Sequence, residues 1–404
     1  MIWFDAAVVL IFWLIFWNRW YNQCAVKIPV VRKKTLGLQD NSPLVSIILP
    51  VRNEAHQIEN YLPSLLNQDY PNLEIIVVDD CSEDGTGDIL KKYAGDHPRL
   101  KLVDGQPRAE GWMGKAHAMY QGYEVARGEW LLFTDAHTRH APYLLSQVMA
   151  QILPSKASVA IVLASQRQPS FGVYLVNLAV FGYLFMVTNL RKFMDPRSRQ
   201  SLINDQYLLI TREAYKIIGT HEAVKKYSSN DASFGYLAKL KGFVPMILYG
   251  GKSLVTTMYT TPARAFRGWS RSLVNGAWTS LGPVKGSAAL VMVTFGLLFF
   301  WVVPWLTWLD SFGNHHTTQS LTGFLQLLAV LAVLLLKSRN PWKAFGDLMV
   351  MPASYLIFAV MVGTGLIGAA LRGGTIQKGR VVPTKKCLPP WNPDPERLRT
   401  DVPT

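Results

Sequence analysis

The sequence predicts an α/β protein whose mainly parallel, Rossmann-like sheet is accompanied by membrane helices at both ends of the chain. The first observation is a series of short, β-branched apolar runs that alternate with helical stretches. The second is that two of these runs end directly in acidic residues. The third is that long uncharged stretches lie near both termini of a chain that is 50% hydrophobic and only 17% charged.

The first half of the predicted sheet comes from three apolar runs with helices between them. Leu44–Val51 has strand length, and Gln57–Leu66 follows it with its apolar residues on one helical face. Leu73–Val78 is the second strand and precedes a helix over Thr86–Tyr93, and Leu100–Val103 is a third, weaker strand. This alternation is typical of parallel strands joined by crossover helices.

Two further strands extend this pattern. A helix that opens at Trp112 and ends near Gly128 precedes the central strand, Trp130–Phe133. Ser158–Ala164 is the fifth predicted strand. Because ligands bind at the carboxyl ends of the strands in such a doubly wound sheet, the functional site is expected at that edge.

The central strand is followed at once by Asp135 and His137, with one small residue between them. If the chain turns tightly there, both side chains reach one cation. A carboxylate oxygen and an imidazole nitrogen suit Mn²⁺ or Mg²⁺, especially an ion that already holds phosphates. From these residues alone, the alternative is that Asp135 caps the next helix and His137 is a surface loop residue.

Composition and missing motifs narrow the function. The net charge of +14, in a chain with long apolar runs, favours an anionic membrane surface and phosphate-bearing ligands over nucleic acid as partners. The three widely spaced cysteines, Cys24, Cys81 and Cys387, predict no disulfide framework and favour a reducing compartment. The sequence has no GxGxxG after the first strand, no P-loop and no GxSxG elbow, which disfavours dinucleotide-binding, P-loop and hydrolase domains.

Apolar stretches predict a multi-pass protein of the cell membrane. Residues 1–20 form an N-terminal anchor, and the basic residues after them place the next domain on the cytoplasmic side. Residues 286–371 hold the C-terminal membrane helices, and residues 372–404 are a basic tail. The candidate spans are Ala288–Leu309, Leu321–Leu336 and Leu348–Leu371. The last can bend at its proline and glycines, which leaves open both the number of spans and the side of the tail.

Three segments together resemble family 2 glycosyltransferases of the GT-A type. They are VSIILPVRNE, EIIVVDDCSEDGT and GKAHAMYQGYEVARGEWLLFTDAHT, and the resemblance covers roughly residues 44–271. Among membrane members, the sequence is most similar to bacterial enzymes that glycosylate carotenoids and hopanoids, and more distantly to ceramide glucosyltransferase. The resemblance implies a GT-A catalytic domain over residues 42–275.

The resemblance also implies a donor-binding site. Asp79 and Asp80 match the family's uridine-binding acids, and Asp80 would accept a hydrogen bond from the uracil ring. Pro50 and Glu54 would line the nucleoside pocket. Lys115 matches the family's Gly-Lys and would face phosphate or sugar, with an exposed helix start as the alternative.

The metal motif and the base follow from the same resemblance. Asp135 and His137 match the family's Asp-x-Asp with histidine at the third position, as in the Asp-x-His of polypeptide N-acetylgalactosaminyltransferases. Asp231 matches the catalytic base, with Asn230 in place of the usual glutamate. Asp231 also suits a helix N-cap, which does not exclude the catalytic role.

A basic and aromatic segment downstream resembles the family's (Gln/Arg)-x-x-Arg-Trp motif. Its residues are Arg264, Arg267, Trp269 and Arg271, with a glycine that shifts the register. The arginines would bind pyrophosphate, and Trp269 would stack on the acceptor sugar or pack on lipid. A juxtamembrane basic-aromatic belt is the alternative.

The apolar stretch Phe171–Leu190 lies between Asp135 and Asp231. If it crossed the membrane alone, these two acids would lie on opposite faces. A helix that lies in the membrane interface and shapes acceptor access is therefore expected.

These observations predict an inverting glycosyltransferase with a divalent metal cofactor. It would move a sugar from a nucleotide donor, UDP-hexose above all, to a lipid such as a carotenoid or hopanoid at the cytoplasmic membrane face. The alternatives are a processive polysaccharide synthase and a catalytically inactive membrane scaffold of the same fold.

Overall fold

The computed structural model describes residues 18, 26–31, 42–227, 229–314, 341–372, 374–377 and 380–383. The chain divides into two compact units. The described residues of the catalytic unit fall within Ala25–Arg167 and Leu190–Met258. Those of the helical unit fall within Met1–Cys24, Gln168–Asn189 and Tyr259–Cys387.

Within its described residues, the catalytic unit is built on an eight-stranded sheet. The strands are β1 (Val45–Val51), β2 (Leu73–Asp79), β3 (Leu100–Asp104), β4 (Trp130–Thr134), β5 (Thr138–His140), β6 (Val159–Gln166), β7 (Tyr207–Thr211) and β8 (Met246–Thr256). Their order is β3-β2-β1-β4-β7-β6-β8-β5. Only β7 and β5 run antiparallel to their neighbours, so the sheet is mixed and mostly parallel, in agreement with the predicted α/β class.

Helices cover this sheet and form the helical unit. In chain order they are α1 (Ile58–Leu66), α2 (Thr86–Asp96), α3 (Gly114–Val125), α4 (Leu144–Ser155), α5 (Phe171–Val187), α6 (Leu190–Met194), α7 (Arg212–Ile218), α8 (Asn230–Leu240), α9 (Pro262–Leu281), α10 (Pro283–Asn314) and α11 (Pro341–Arg372). A short hairpin, β9 (Gly374–Gln377) with β10 (Arg380–Pro383), follows the last helix. Of these, α5 and α9 to α11 belong to the helical unit.

The central strands are continuous apolar runs because both faces of the sheet are covered. Ile47 and Ile48 are adjacent on β1 and fully buried, yet they belong to different apolar clusters. Ile75 and Ile76 repeat this arrangement on β2. Successive side chains of a strand point to opposite faces, so an unbroken run of β-branched residues fills two cores at once.

Among the strands of this sheet, β5 and β7 are not predicted by the sequence pattern, whereas a strand was expected at Phe243–Leu248, where β8 begins. Tyr207–Thr211 inserts antiparallel between β4 and β6, with Tyr207 paired to Thr134 at the carboxyl end of the central strand. A run of five residues is too short to distinguish a strand from a helix by periodicity. The insertion brings the residues just before β7 to the carboxyl edge of β4.

A buried lysine on α8 forms hydrogen bonds with α6 and with the loop that follows α6. Lys239 is fully buried, and its Nζ donates hydrogen bonds to the carbonyl oxygens of Lys192 at 2.8 Å, Ser198 at 3.1 Å and Gln200 at 2.6 Å. We expect Lys239→Met to lower the free energy of unfolding by about 2–4 kcal/mol, because three backbone carbonyls lose a charged donor. Thermal melting of the full-length protein measures this loss. Exposed Lys241→Met should melt like the wild type, and equal melting of both variants would contradict the prediction.

The helical unit packs α5, α9, α10 and α11 around one apolar cluster. By length and composition, one described helix is able to cross a membrane, namely Pro341–Leu371, and Phe171–Val187 and Pro283–Phe299 are shorter apolar helices. Large apolar side chains are also exposed on this unit, among them Met292 and Phe295 at about 70%.

The two compact units of the structure differ from the domain boundaries predicted from the sequence at two places. The boundary at residue 275 falls inside α9, and both α5 and α9 pack in the helical unit through residues such as Val180 and Val274. Nearly all of the N-terminal anchor, the whole span Leu321–Leu336 and most of the basic tail lie outside the described residues.

Candidate active site

Two loops at the carboxyl edge of the sheet brace each other. They follow β1 and β2, whose ends are in register at Val51 and Asp79. Asn53 Oδ1 accepts from the amide of Glu83 at 2.8 Å, and Thr86 Oγ1 accepts from the amide of Glu54 at 2.9 Å. These side chain to backbone hydrogen bonds hold the predicted nucleoside-pocket residues on a preorganised edge.

Asp79 and Asp80 have different surroundings. The Oδ1 atom of Asp79 accepts from the amide of Ser82 at 3.0 Å, so this carboxylate holds its own loop. Asp80 is only 7% exposed and lies 3.7 Å from the guanidinium of Arg52, a residue that the sequence did not single out. A Cβ at Gly114 would come 3.0 Å from Asp80 Oδ2, so a larger residue at the start of α3 would press on this carboxylate.

Lys115, the second residue of α3, bridges two carboxylates. Its Nζ lies 2.6 Å from Asp135 Oδ1 and 3.2 Å from Asp205 Oδ2. Burial by itself would lower the pKa of Lys115, but these two negative charges outweigh it and raise the pKa. The side chain is therefore a fixed positive charge at this edge.

Asp135 and His137 lie in the tight turn between β4 and β5. The amide of Thr138 donates to the carbonyl of Asp135 at 3.2 Å, and Asp135 Oδ2 lies 3.7 Å from His137 Nε2. Two ligands of one cation with bonds of about 2.1 Å lie about 3 Å apart, so a small rotation lets this pair share an ion. Among the described residues, no group of three His, Cys, Asp or Glu side chains could hold a metal, so an ion at this pair would take its other ligands from phosphate or water.

Asp231 is the second residue of α8 and is partly exposed. Burial and the negative charge of Asp205 raise the pKa of Asp231 to about 6, although Lys115 and the amide of Ala232 act in the opposite direction. An aspartate with this pKa is largely ionised at neutral pH and is a stronger base than an ordinary one. Asp231 is thus accessible to a substrate and is a stronger base than an ordinary aspartate.

The pH dependence of transfer should report this carboxylate. We expect the rate at saturating donor and metal to be level above about pH 7 and to fall below about pH 6, since protonated Asp231 cannot accept a proton. Raising the metal concentration separates this effect from weaker metal binding at low pH, because excess metal refills its site but does not deprotonate the base. A rate that is constant down to pH 5 would contradict the assignment.

Asp205 is a site residue that the sequence analysis missed. It is 2% exposed, and besides Lys115 its Oδ2 accepts from the side-chain amide of Asn230 at 3.4 Å. No recognised motif contains it. Its position depends on the antiparallel pairing of β7 with β4, which brings residue 205 next to the central strand's end.

The basic and aromatic segment lies on α9 in the helical unit. Trp269 Nε1 donates to Asn177 Oδ1 at 2.8 Å, and the indole packs edge-on against Phe181 and Tyr259. Arg264 begins the helix, where its amide donates to Thr261 Oγ1 at 3.3 Å. The roles of Arg264, Arg267, Trp269 and Arg271 toward pyrophosphate and acceptor stay predictions.

Comparison with known proteins shows which family this part of the chain resembles. Residues 46–209 match the family described as "Glycosyl transferase family 2". The chain is 26% identical over 275 residues to the 4,4'-diaponeurosporenoate glycosyltransferase of Staphylococcus aureus. The aligned region covers 66% of this chain and 69% of that protein. It is 39% identical over 94 residues to the glycosyltransferase TuaG of Bacillus subtilis, and the match spans 23% of this chain but only 36% of TuaG.

A solved structure is similar in fold. The mannosyltransferase PcManGT of Pyrobaculum calidifontis, in complex with GDP-Man and Mn²⁺, superposes with a TM-score of 0.50 at 20% identity. The superposition covers 91% of this chain and 97% of that one. Residues 46–209 therefore form a glycosyl transferase family 2 domain in a mostly parallel GT-A fold, so the chain carries a glycosyltransferase domain.

Proposed function

We propose that this protein is an inverting enzyme that transfers a hexose from a UDP-sugar to the hydroxyl or carboxyl group of a membrane lipid at the cytoplasmic face. The observation that carries the proposal is the clustering of Lys115, Asp135 and Asp231 at one sheet edge. A single accessible base beside a fixed cation suits direct displacement, with the acceptor attacking the anomeric carbon opposite the leaving diphosphate.

The donor's nucleoside would bind between the loops after β1 and β2. Pro50 and Glu54 would line this pocket, and the buried carboxylate of Asp80 would accept a hydrogen bond from the ring N–H of uracil. The guanidinium of Arg52 lies beside Asp80 and would help to orient that carboxylate. Asp79 would support the pocket through its bond to the Ser82 amide.

The donor's diphosphate would face Lys115, Asp135 and His137. Lys115 supplies a positive charge that two carboxylates already hold in place. Asp135 and His137 would hold Mn²⁺ or Mg²⁺, which stabilises the negative charge on the departing diphosphate. The similar fold of a mannosyltransferase that is bound to GDP-Man and Mn²⁺ supports this assignment.

Asp231 would take the acceptor's proton. As the acceptor oxygen bonds to the anomeric carbon, its proton passes to a carboxylate oxygen of Asp231, and the bond from the anomeric carbon to the diphosphate breaks. The raised pKa of Asp231 suits this step at neutral pH.

Membrane attachment through the helical unit would bring the enzyme to a lipid acceptor. Support comes from the apolar helix Pro341–Leu371 and from exposed side chains such as Phe295 and Ile367. The helix Phe171–Val187 would lie in the interface and shape access for the acceptor. The relative named for diaponeurosporenoate supports a lipid acceptor of carotenoid or hopanoid type.

Mass spectrometry of lipid extracts from cells with and without the gene tests the function. A hexose-sized mass shift on one lipid class is the expected result. A ladder of hexose additions would instead favour a processive synthase. UDP binding without any new glycolipid would favour an inactive scaffold.

A further inference from the structure

Two glutamines and a histidine form a chain of hydrogen bonds beside the proposed nucleoside pocket. The backbone amide of Gln106, in the loop after β3, donates to Oε1 of Gln121 at 2.7 Å. The side-chain nitrogen of Gln121 lies 2.9 Å from Nδ1 of His117, one turn earlier on α3. Both His117 and Gln121 are only 9% exposed, so neither side chain can readily exchange this contact for water.

This chain of hydrogen bonds fixes the tautomer of the imidazole. A backbone amide can only donate, so the atom of Gln121 that faces Gln106 is the carbonyl oxygen, and the atom that faces His117 is the amide nitrogen. An amide nitrogen also only donates, so Nδ1 of His117 accepts and carries no proton. Burial lowers the pKa of His117 against the opposing charge of Asp80, which agrees with a neutral ring. The single ring proton therefore lies on Nε2.

His117 is on the face of α3 that packs against Asp80. It follows Gly114 by three residues, and a Cβ at Gly114 would come 3.0 Å from Asp80 Oδ2. The loop after β3 reaches the same place, since the amide of Gly105 donates to the carbonyl of Asp79 at 2.9 Å. Among the described residues, Nε2 of His117 has no hydrogen-bond partner. The start of α3 thus brings an imidazole donor close to the carboxylate that is proposed to accept from the base.

An acceptor and a donor side by side match one edge of uracil. Uracil presents its ring N–H between two carbonyl oxygens, so a donor next to Asp80 meets an oxygen on whichever side of the N–H it lies. Cytosine presents an unprotonated ring nitrogen to the carboxylate, and guanine has a carbonyl oxygen on only one side of its ring N–H. A mismatched base leaves a buried polar group without a partner, which costs affinity.

We infer that His117 is a specificity-determining residue for the donor, and that its Nε2–H donates to a carbonyl oxygen of uracil while Asp80 accepts from the ring N–H. Gln121 is a positioning residue that holds the imidazole in the donating tautomer. This inference rests on the proposed function, because it names the side chains that select uracil in the proposed donor pocket.

Equilibrium binding of three nucleotides to the full-length protein tests the contact without any substitution. The probes are UDP, 2-thio-UDP and 4-thio-UDP at pH 7 with Mn²⁺. Each analogue replaces one carbonyl oxygen of the base by sulfur, which is a weaker acceptor, and keeps the ring N–H. We expect one analogue to bind about five- to tenfold more weakly than UDP, and the other to bind like UDP.

His117→Phe keeps an aromatic ring and removes the donor. We expect UDP to bind this variant about tenfold more weakly than the wild type, and UDP and both analogues to bind it equally, because no donor then distinguishes oxygen from sulfur. His117→Gln offers a side-chain N–H of similar reach and should recover UDP affinity to within about threefold of the wild type. The matched control is His97→Phe, because His97 follows α2 and stacks on Tyr93. It should bind all three nucleotides like the wild type.

Gln121→Met tests the positioning role separately. Methionine has a similar volume but cannot hold Nδ1 of His117 as an acceptor, so the imidazole is free to change tautomer and orientation. We expect UDP to bind about threefold more weakly and the difference between UDP and the weaker analogue to shrink. A change confined to thermal melting, with nucleotide binding unchanged, would overturn the positioning role of Gln121.

The remaining outcomes separate the inference from the proposed function. Equal binding of UDP and both analogues by the wild type, or an undiminished preference for UDP in folded His117→Phe, would overturn the role of His117 and leave the proposed function intact. If His117→Phe does not fold, His117→Leu is judged by the same criterion. A wild-type protein that binds GDP but not UDP would overturn the UDP-sugar donor of the proposed function, and the inference with it.

Discussion

Asp231→Asn should lower the rate of sugar transfer by about 10²–10⁴-fold while leaving UDP affinity within about twofold of the wild type. The amide keeps the size of the side chain and still accepts from the Ala232 amide, a contact of 2.8 Å in the wild type. It cannot take a proton from an acceptor hydroxyl. The loss should therefore appear in the transfer step and not in donor binding.

Single-turnover transfer and UDP titration measure these two quantities separately. Asp88→Asn, with the same charge change on an exposed helix, is the control. Full transfer activity in Asp231→Asn would remove the base assignment. A parallel loss of UDP affinity would instead indicate that Asp231 supports the donor site.

His137→Ala should impair transfer severely, by about 10²–10³-fold, because Asp135 alone would hold the cation poorly. His137→Asp should recover much of the activity and move the preference from Mn²⁺ toward Mg²⁺, since nitrogen ligands suit the transition metal better than carboxylates do. It should also reduce the fall in activity at acid pH, because metal binding through an imidazole competes with protons for the same nitrogen atom.

Transfer rate against metal identity and pH for the three proteins checks these expectations. Mn²⁺ affinity measured by electron paramagnetic resonance gives a readout that does not depend on turnover. An unchanged wild-type rate in EDTA, or full activity of His137→Ala, would show that His137 is a loop residue and that the metal assignment is wrong.

Much of the catalytic unit was predictable because its signals are local. The apolar runs that became β1, β2 and β4 are recognisable from composition and length, and each is followed by polar residues that start a loop. Parallel strands of one sheet bring those ends together, so Asp80 and Asp135 were expected at one edge, while Lys115 was expected there from the family resemblance. The structure places Lys115 and Asp135 in direct contact there.

The missed residues depend on contacts between distant segments. Arg52 forms an ion pair with Asp80, which lies on the neighbouring loop. Asp205 reaches the site because β7 inserts beside β4. Neither contact leaves a periodic trace in the sequence. The same holds for α9, where a motif resembling a catalytic one lies on a helix whose apolar residues pack in the helical unit.

Strand and helix positions follow from apolar periodicity, because alternation along the backbone is a property of neighbouring residues. The burial and basicity of each carboxylate do not follow from apolar periodicity. Asp205 and Asp231 are both aspartates near a helix or strand start, yet one is enclosed and ion-paired while the other is accessible with a raised pKa. Burial and neighbouring charge decide this difference, and both are set by the three-dimensional packing of segments that lie far apart in the chain.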